Sequence, residues 1–106
     1  MSKTWHETII DVHLAVTDQV SHAEHMKSDR YFIWQEDGEN VLLAGNFRAE
    51  RAVTGSTDLY TKNEFDPWKE EFESALDAAG LPWSYNSFQY EEGTGFYHHE
   101  WYWEVI

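Results

Sequence analysis

The chain has 106 residues, 42% hydrophobic and 17% aromatic, which is enough apolar area for one core and too little length for a second domain, so residues 1–106 read as a single domain. It contains no cysteine, which excludes disulfides, zinc–thiolate sites and thiol catalysis. Twenty acidic residues against seven basic ones leave a net charge of −13, with −4 on residues 1–53 and −9 on residues 54–106. A surface of that sign repels phosphate and anionic lipid, so neither sequence-specific nucleic-acid binding nor membrane binding is expected.

Residues 3–17 fit two periods: Trp5, Ile9, Val12 and Val16 share a helical face, while Ile10, Val12, Leu14 and Val16 alternate as in a strand. A stretch this long without glycine or proline favours the helix. Tyr31-Phe32-Ile33-Trp34, bounded by Ser28-Asp29 and Asp37-Gly38, reads as a strand apolar on both faces. In a third segment Phe47, Ala49, Val53, Thr57 and Leu59 share one parity, and Arg48, Glu50, Thr54, Asp58 and Lys62 the other. Arg51 interrupts the apolar parity, and Gly55 is expected to mark a bend or bulge.

Residues 66–79 carry the clearest helix signal. Asp66 suits an N-cap, Pro67 the first turn and Glu70-Glu71 the positive helix start, while Gly80 and Pro82 end it; Trp68, Phe72, Leu76 and Ala79 form the apolar stripe. Two aromatic runs follow, Tyr85–Glu91 and Phe96–Val105, joined as a hairpin by Gly93-Thr94-Gly95. Tyr97, His99, Trp101, Trp103 and Val105 fall on one face of the last strand, and Phe96, His98, Glu100, Tyr102 and Glu104 on the other. The order predicts an α+β fold: a mainly antiparallel sheet of four to five strands with two helices packed on one face.

No pattern reads as an active site. His22 with His25, and His6 with His13, could meet on a helix, but neither pair has a third ligand, so no metal is assigned. Glu91, Glu92, Glu100 and Glu104 lie among aromatics, as twenty acids in a short chain make inevitable, and nothing marks them as a glycosidase pair. No phosphate loop, nucleophile elbow or Ser/His/Asp set is present, and the reading assigns neither catalytic residues nor a cofactor. The rings exceed what one small core needs, which points to a protein interface at Trp34, Tyr60, Phe96 and Tyr102. A rival reading makes the acids Glu70, Glu71, Glu73 and Asp77 a DNA mimic that blocks the basic groove of a nucleic-acid enzyme.

The segments Val53-Thr54-Gly55-Ser56-Thr57-Asp58-Leu59-Tyr60-Thr61-Lys62, Glu64-Phe65-Asp66-Pro67-Trp68, Ala79-Gly80-Leu81-Pro82-Trp83 and Tyr90–Trp101 resemble small minor structural proteins of long-tailed bacteriophages and Firmicutes prophages, of the tail-terminator or head-tail joining type. The likeness covers the second half of the chain, and Ala44-Gly45-Asn46 departs from the pattern of that group. It implies a protein without catalytic residues that forms a ring of copies, six in that group, capping the tail tube and docking to the head connector. Its implied partners are itself, the connector and tail-tube proteins, with DNA passing through the lumen ungripped. The implied place is the virion, after synthesis in the bacterial cytoplasm; Met1 to Glu7 does not read as a signal peptide.

Overall fold

A computed structural model describes residues 3–42 and 50–106, and side chains outside 39–51 within them. Phe47, Arg48 and Ala49, expected in the third strand, and Ala44-Gly45-Asn46 lie outside the described residues, as do the side chains of Glu50 and Arg51.

Helix α1 spans Trp5–Leu14 and starts at a capping box: the Glu7 backbone N–H donates to Thr4 Oγ1 and the Glu7 carboxylate accepts the Thr4 backbone N–H. Strands β1 (Val20–His22), β2 (Arg30–Leu42) and β3 (Glu50–Thr61) follow, then helix α2 (Trp68–Ala78) and strands β4 (Trp83–Glu91) and β5 (Phe96–Val105). The five strands form one sheet in the order β1-β2-β3-β5-β4, antiparallel except for the β1–β2 pair. The fold is therefore α+β, as the sequence predicts.

Both helices cover the same face. Ile9 and Val12 of α1 and Phe72 and Leu76 of α2 are buried with Phe32, Trp34, Leu59, Trp101, Trp103 and Val105 from the sheet. Each large side chain removed from water there contributes about 1.5–3 kcal/mol, so this layer supplies most of the driving force. The apolar parity of β3 points into it through Thr57 and Leu59, with Thr61 buried alongside.

The structure corrects three local expectations. Asp37-Gly38 does not end β2: the strand passes through with a bulge at Asp37, opposite Gly55, and the Thr54 hydroxyl donates to Asp37 Oδ1 at 2.7 Å. Gly55 is thus the partner of the bulge, and it is held to glycine by packing: a Cβ there would collide with the Trp103 ring and stand 2.5 Å from the Gln35 carbonyl oxygen. Ala79 is exposed, and Ala75 packs against the core in its place. In the hairpin turn Gly95 takes a positive φ, 77°.

The α2 start follows its expectation in chemistry and differs by a residue in position. Asp66 Oδ1 accepts the Trp68 N–H at 2.9 Å although Pro67 holds the cap position. The same carboxylate takes a two-pronged bond from Arg30 and a hydroxyl from Thr61 at 2.7 Å. Burial works against its charge, and these donors outweigh burial and hold its pKa below the usual carboxylate value. Asp66 therefore ties β2, β3 and α2 together at one point.

Strand β1 was not expected. Parallel neighbours usually need a dozen or more residues between them, commonly a helix. Here the link is only residues 23–29, and it begins with Ala23 at φ 65°, a left-handed conformation costing about 1–2 kcal/mol for a residue with a Cβ. The link crosses the sheet face opposite the helices, where His25 Nδ1 lies 3.0 Å from the Tyr31 hydroxyl.

Candidate interaction surface

The face without helices carries the other parity: Tyr31 and Ile33 from β2, Ser56, Asp58 and Tyr60 from β3, and Phe96, His98, Glu100 and Tyr102 from β5. At one end its rings interlock. Tyr60 stacks on His98 with centroids 4.3 Å apart and on Tyr31 at 5.3 Å, and Phe96 meets both tyrosines edge-on at 5.7 and 6.3 Å. Lys62 Nζ sits 4.0 Å above the Phe96 ring centroid.

Charge is organised around His98. Its Nε2 lies 2.6 Å from Asp58 Oδ1 and its Nδ1 3.6 Å from Glu91 Oε2. Burial alone would lower the His98 pKa, but the Asp58 hydrogen bond and the charges of Asp58, Glu91 and Glu100 prevail and raise it. The same surroundings push the Tyr60 hydroxyl up to about 12, through burial first and the Asp58 and Glu91 carboxylates second. Tyr60 is a neutral hydroxyl at any physiological pH.

Of the four rings singled out in the sequence, three lie on this face. Tyr60 and Phe96 are half-buried within the ring cluster, and Tyr102, farther along β5, is 44% exposed. Trp34 lies on the helix side instead, 5% exposed, against Trp5, His13 and Trp103. Its ring is spent in the core. Sequence alternation identifies two faces but cannot say which one the helices will cover.

The histidines outside β5 have other partners. His6 is 3.2 Å from Thr4 Oγ1, His22 pairs with Glu36 at 2.7 Å, and His13 is fully buried with Nδ1 2.7 Å from the Ile9 carbonyl oxygen. His22 and His25 are not on a helix, contrary to the spacing argument, since β1 ends at His22. Among the described residues no group of three His, Cys, Asp or Glu side chains is placed to hold a metal.

Two of the four α2 acids have structural work. Glu73 Oε2 accepts the Trp101 indole N–H at 2.9 Å and pairs with Lys69, and Asp77 Oδ1 accepts the Trp83 indole N–H at 2.7 Å. Buried or half-buried indoles need such acceptors. Only Glu70 and Glu71 remain of the expected acidic row, and both are exposed.

A second exposed surface was not singled out in the sequence. On the helix side, beyond α2, Phe65 is 85% exposed, Tyr85 38%, Phe88 49% and Tyr90 50%. A bulge at Asn86 shifts the β4 register, so Tyr85 faces Trp101 while Phe88 faces His99, and all three β4 rings point the same way. Strict alternation would have put Tyr85 and Phe88 on opposite faces.

No family model matches this chain, and no curated protein matches it. Among solved structures it is similar to a chain of a virion of a native gene transfer agent particle, with 9% identity and a TM-score of 0.46 over 93% of this chain and 87% of that one.

Proposed function

We propose that the protein is a non-catalytic structural component of a phage-type particle, which assembles with copies of itself and with connector and tail-tube proteins at the tail end or the head-tail junction. The observation that carries this reading is the one-sided sheet: helices cover one face, while the other presents Tyr60, Phe96 and the exposed Tyr102. The phage-protein likeness of residues 53–101 supports it from the sequence side. In this reading the aromatic face meets a neighbouring copy in a ring of six, and the surplus acidic charge faces solvent or a lumen. Burying that charge between subunits would cost several kcal/mol per unpaired ion.

The rival reading, a DNA mimic, needs a row of carboxylates free to stand in for phosphates. Glu73 and Asp77 are held by Lys69 and by indole N–H groups, which breaks the row.

The test is capping of tail tubes purified without this protein. The wild type caps them, and Tyr102→Glu, at a position where the folded monomer has water on the ring, stays folded and does not cap. Normal capping by Tyr102→Glu, or head joining by tubes that never receive the protein, sinks the proposal.

A further inference from the structure

We propose that the groove between the start of α2 and the edge strand β4 is a docking site for an extended, basic segment of a partner protein, which pairs along β4 and seats a cationic side chain against His99. This inference does not rest on a role in a virion.

Strand β4 is the last in the sheet order, and among the described residues no strand pairs with its outer edge. It runs nine residues without proline, so its outward N–H and C=O groups form a template for another strand. Beside it lies a groove of about 360 Å³, walled by Phe65, Tyr85 and Phe88, rimmed by Glu64 and Glu70, with His99 in its lining.

Two observations identify the occupant. The His99 ring is 95% buried; its Nδ1 lies 2.7 Å from the Tyr85 hydroxyl, while its Nε2 is shielded from water and has no hydrogen-bond partner. No other buried side-chain nitrogen or oxygen among the described residues is left in that state. Such an atom is costly in a finished structure and calls for a missing partner. The Tyr85 hydroxyl can donate to Nδ1 or accept from it, leaving Nε2 as an N–H or as a lone pair. The acidic rim of the groove selects the second, in which Nδ1–H is donated to the Tyr85 oxygen and Nε2 accepts from an N–H donor of the guest.

Charge supplies the sign. The protein carries −13 overall, and Glu64 and Glu70 in the groove lining outnumber its one lysine, Lys69, whose charge is already paired with Glu73, so a cation is favoured and a second copy of this acidic chain is not. The rings suit the same guest. This chain already lays Arg30 over Trp68 at 3.6 Å and Lys69 over Tyr85 at 4.6 Å, and the exposed Phe65 and Phe88 offer further faces of that kind.

The experiment uses the whole protein and a dye-labelled peptide alternating valine and arginine, with a valine–glutamate peptide as control. Fluorescence anisotropy should show binding of the arginine peptide alone, about tenfold weaker for Phe65→Ser, which removes a ring contact and no charge. Nitrogen NMR of the imidazoles should show the His99 Nε2 signal shifting on binding. Undiminished binding by Phe65→Ser would mean unspecific attraction to an acidic surface and would overturn the site. So would equal binding of the glutamate peptide, a stationary His99 signal, or slow amide exchange along the outer edge of β4 in the free protein, the mark of a second copy already paired there. Phe65 is 85% exposed, so its substitution leaves the fold intact; Glu70→Gln, also on the surface, gives an independent variant with the same expected direction.

Discussion

His13 and Thr57 meet at 2.9 Å in the centre of the core, and the hydrogen bond between them can point only one way. The Ile9 carbonyl can only accept, so His13 Nδ1 carries the proton and Nε2 is the acceptor. The Thr57 hydroxyl therefore donates to His13, and its oxygen receives the Trp103 indole N–H at 2.9 Å. One threonine joins α1, β3 and β5 through groups that have no water to fall back on.

That arrangement predicts acid sensitivity. Burial lowers the His13 pKa from 6.5 to about 4, more than the Ile9 hydrogen bond raises it. Between those values the unfolded chain binds a proton that the folded one does not, so stability falls as pH drops through the window. The loss from this residue should reach about 3 kcal/mol by pH 4. His98 works in the opposite sense: with its folded pKa raised, its contribution is complete below 6.5 and is lost as pH rises through the folded value. Urea unfolding of His98→Gln from pH 7 to 4 removes the opposing contribution and reads the slope of His13 together with that of His99, whose pKa burial also lowers. A flat profile would mean that His13 is hydrated. Thr57→Val, which keeps the shape and orphans two partners, should cost about 2–4 kcal/mol at pH 7.

Gly55→Ala should be among the most damaging single-methyl additions available. The new Cβ meets the Trp103 ring and the Gln35 backbone, and neither can yield without moving β2 or the core tryptophan. A loss of about 1–3 kcal/mol or more is expected, with near-ultraviolet dichroism showing a displaced indole. An unchanged melting temperature would show that Trp103 has another rotamer of equal energy.

Phe72→Ala should cost about 3–5 kcal/mol. The ring is fully buried between His13, Phe32 and Trp101, with centroids at 4.8, 5.1 and 5.0 Å, so its removal leaves a cavity walled by rigid rings. Calorimetry checks this directly. A small shift would require the helix to settle into the space.

Asp58→Asn should lower the His98 pKa, because the largest contribution holding the imidazolium is the Asp58 bond. Proton NMR titration of the ring reads the change. If the titration does not move, Glu91 and Glu100 rather than Asp58 set the charge on this face.

The elements most legible in the sequence are those punctuated locally. Asp66-Pro67 opens α2 and Gly80 with Pro82 closes it, and the Gly93–Gly95 turn sets the hairpin, because each signal acts within a few residues of the structure it directs. Strand β1 gave no such signal. Its three residues are a strand only by virtue of pairing with Phe32, Ile33 and Trp34 across a short link. Asp37-Gly38 read as a stop because a bulge and a turn favour the same residues. The interface candidates divided for a related reason: Tyr60, Phe96 and Tyr102 share one face, but the destination of Trp34 was decided by where α1 and α2 came to rest. The groove at His99 depends on the register slip at Asn86, which no periodicity reveals.

The open edge of β4 also makes the protein's net charge a colloidal safeguard. Exposed strand edges invite stacking of one molecule on the next, and natural proteins oppose this with like charge. At neutral pH, −13 keeps copies apart, but the protection disappears near the sequence isoelectric point of about 4.6. His13 is being forced toward protonation over the same interval, so mild acid loosens the core just as the repulsion between edges vanishes. Precipitation there would be driven from two sides, and storage well above pH 6 with modest salt preserves both defences.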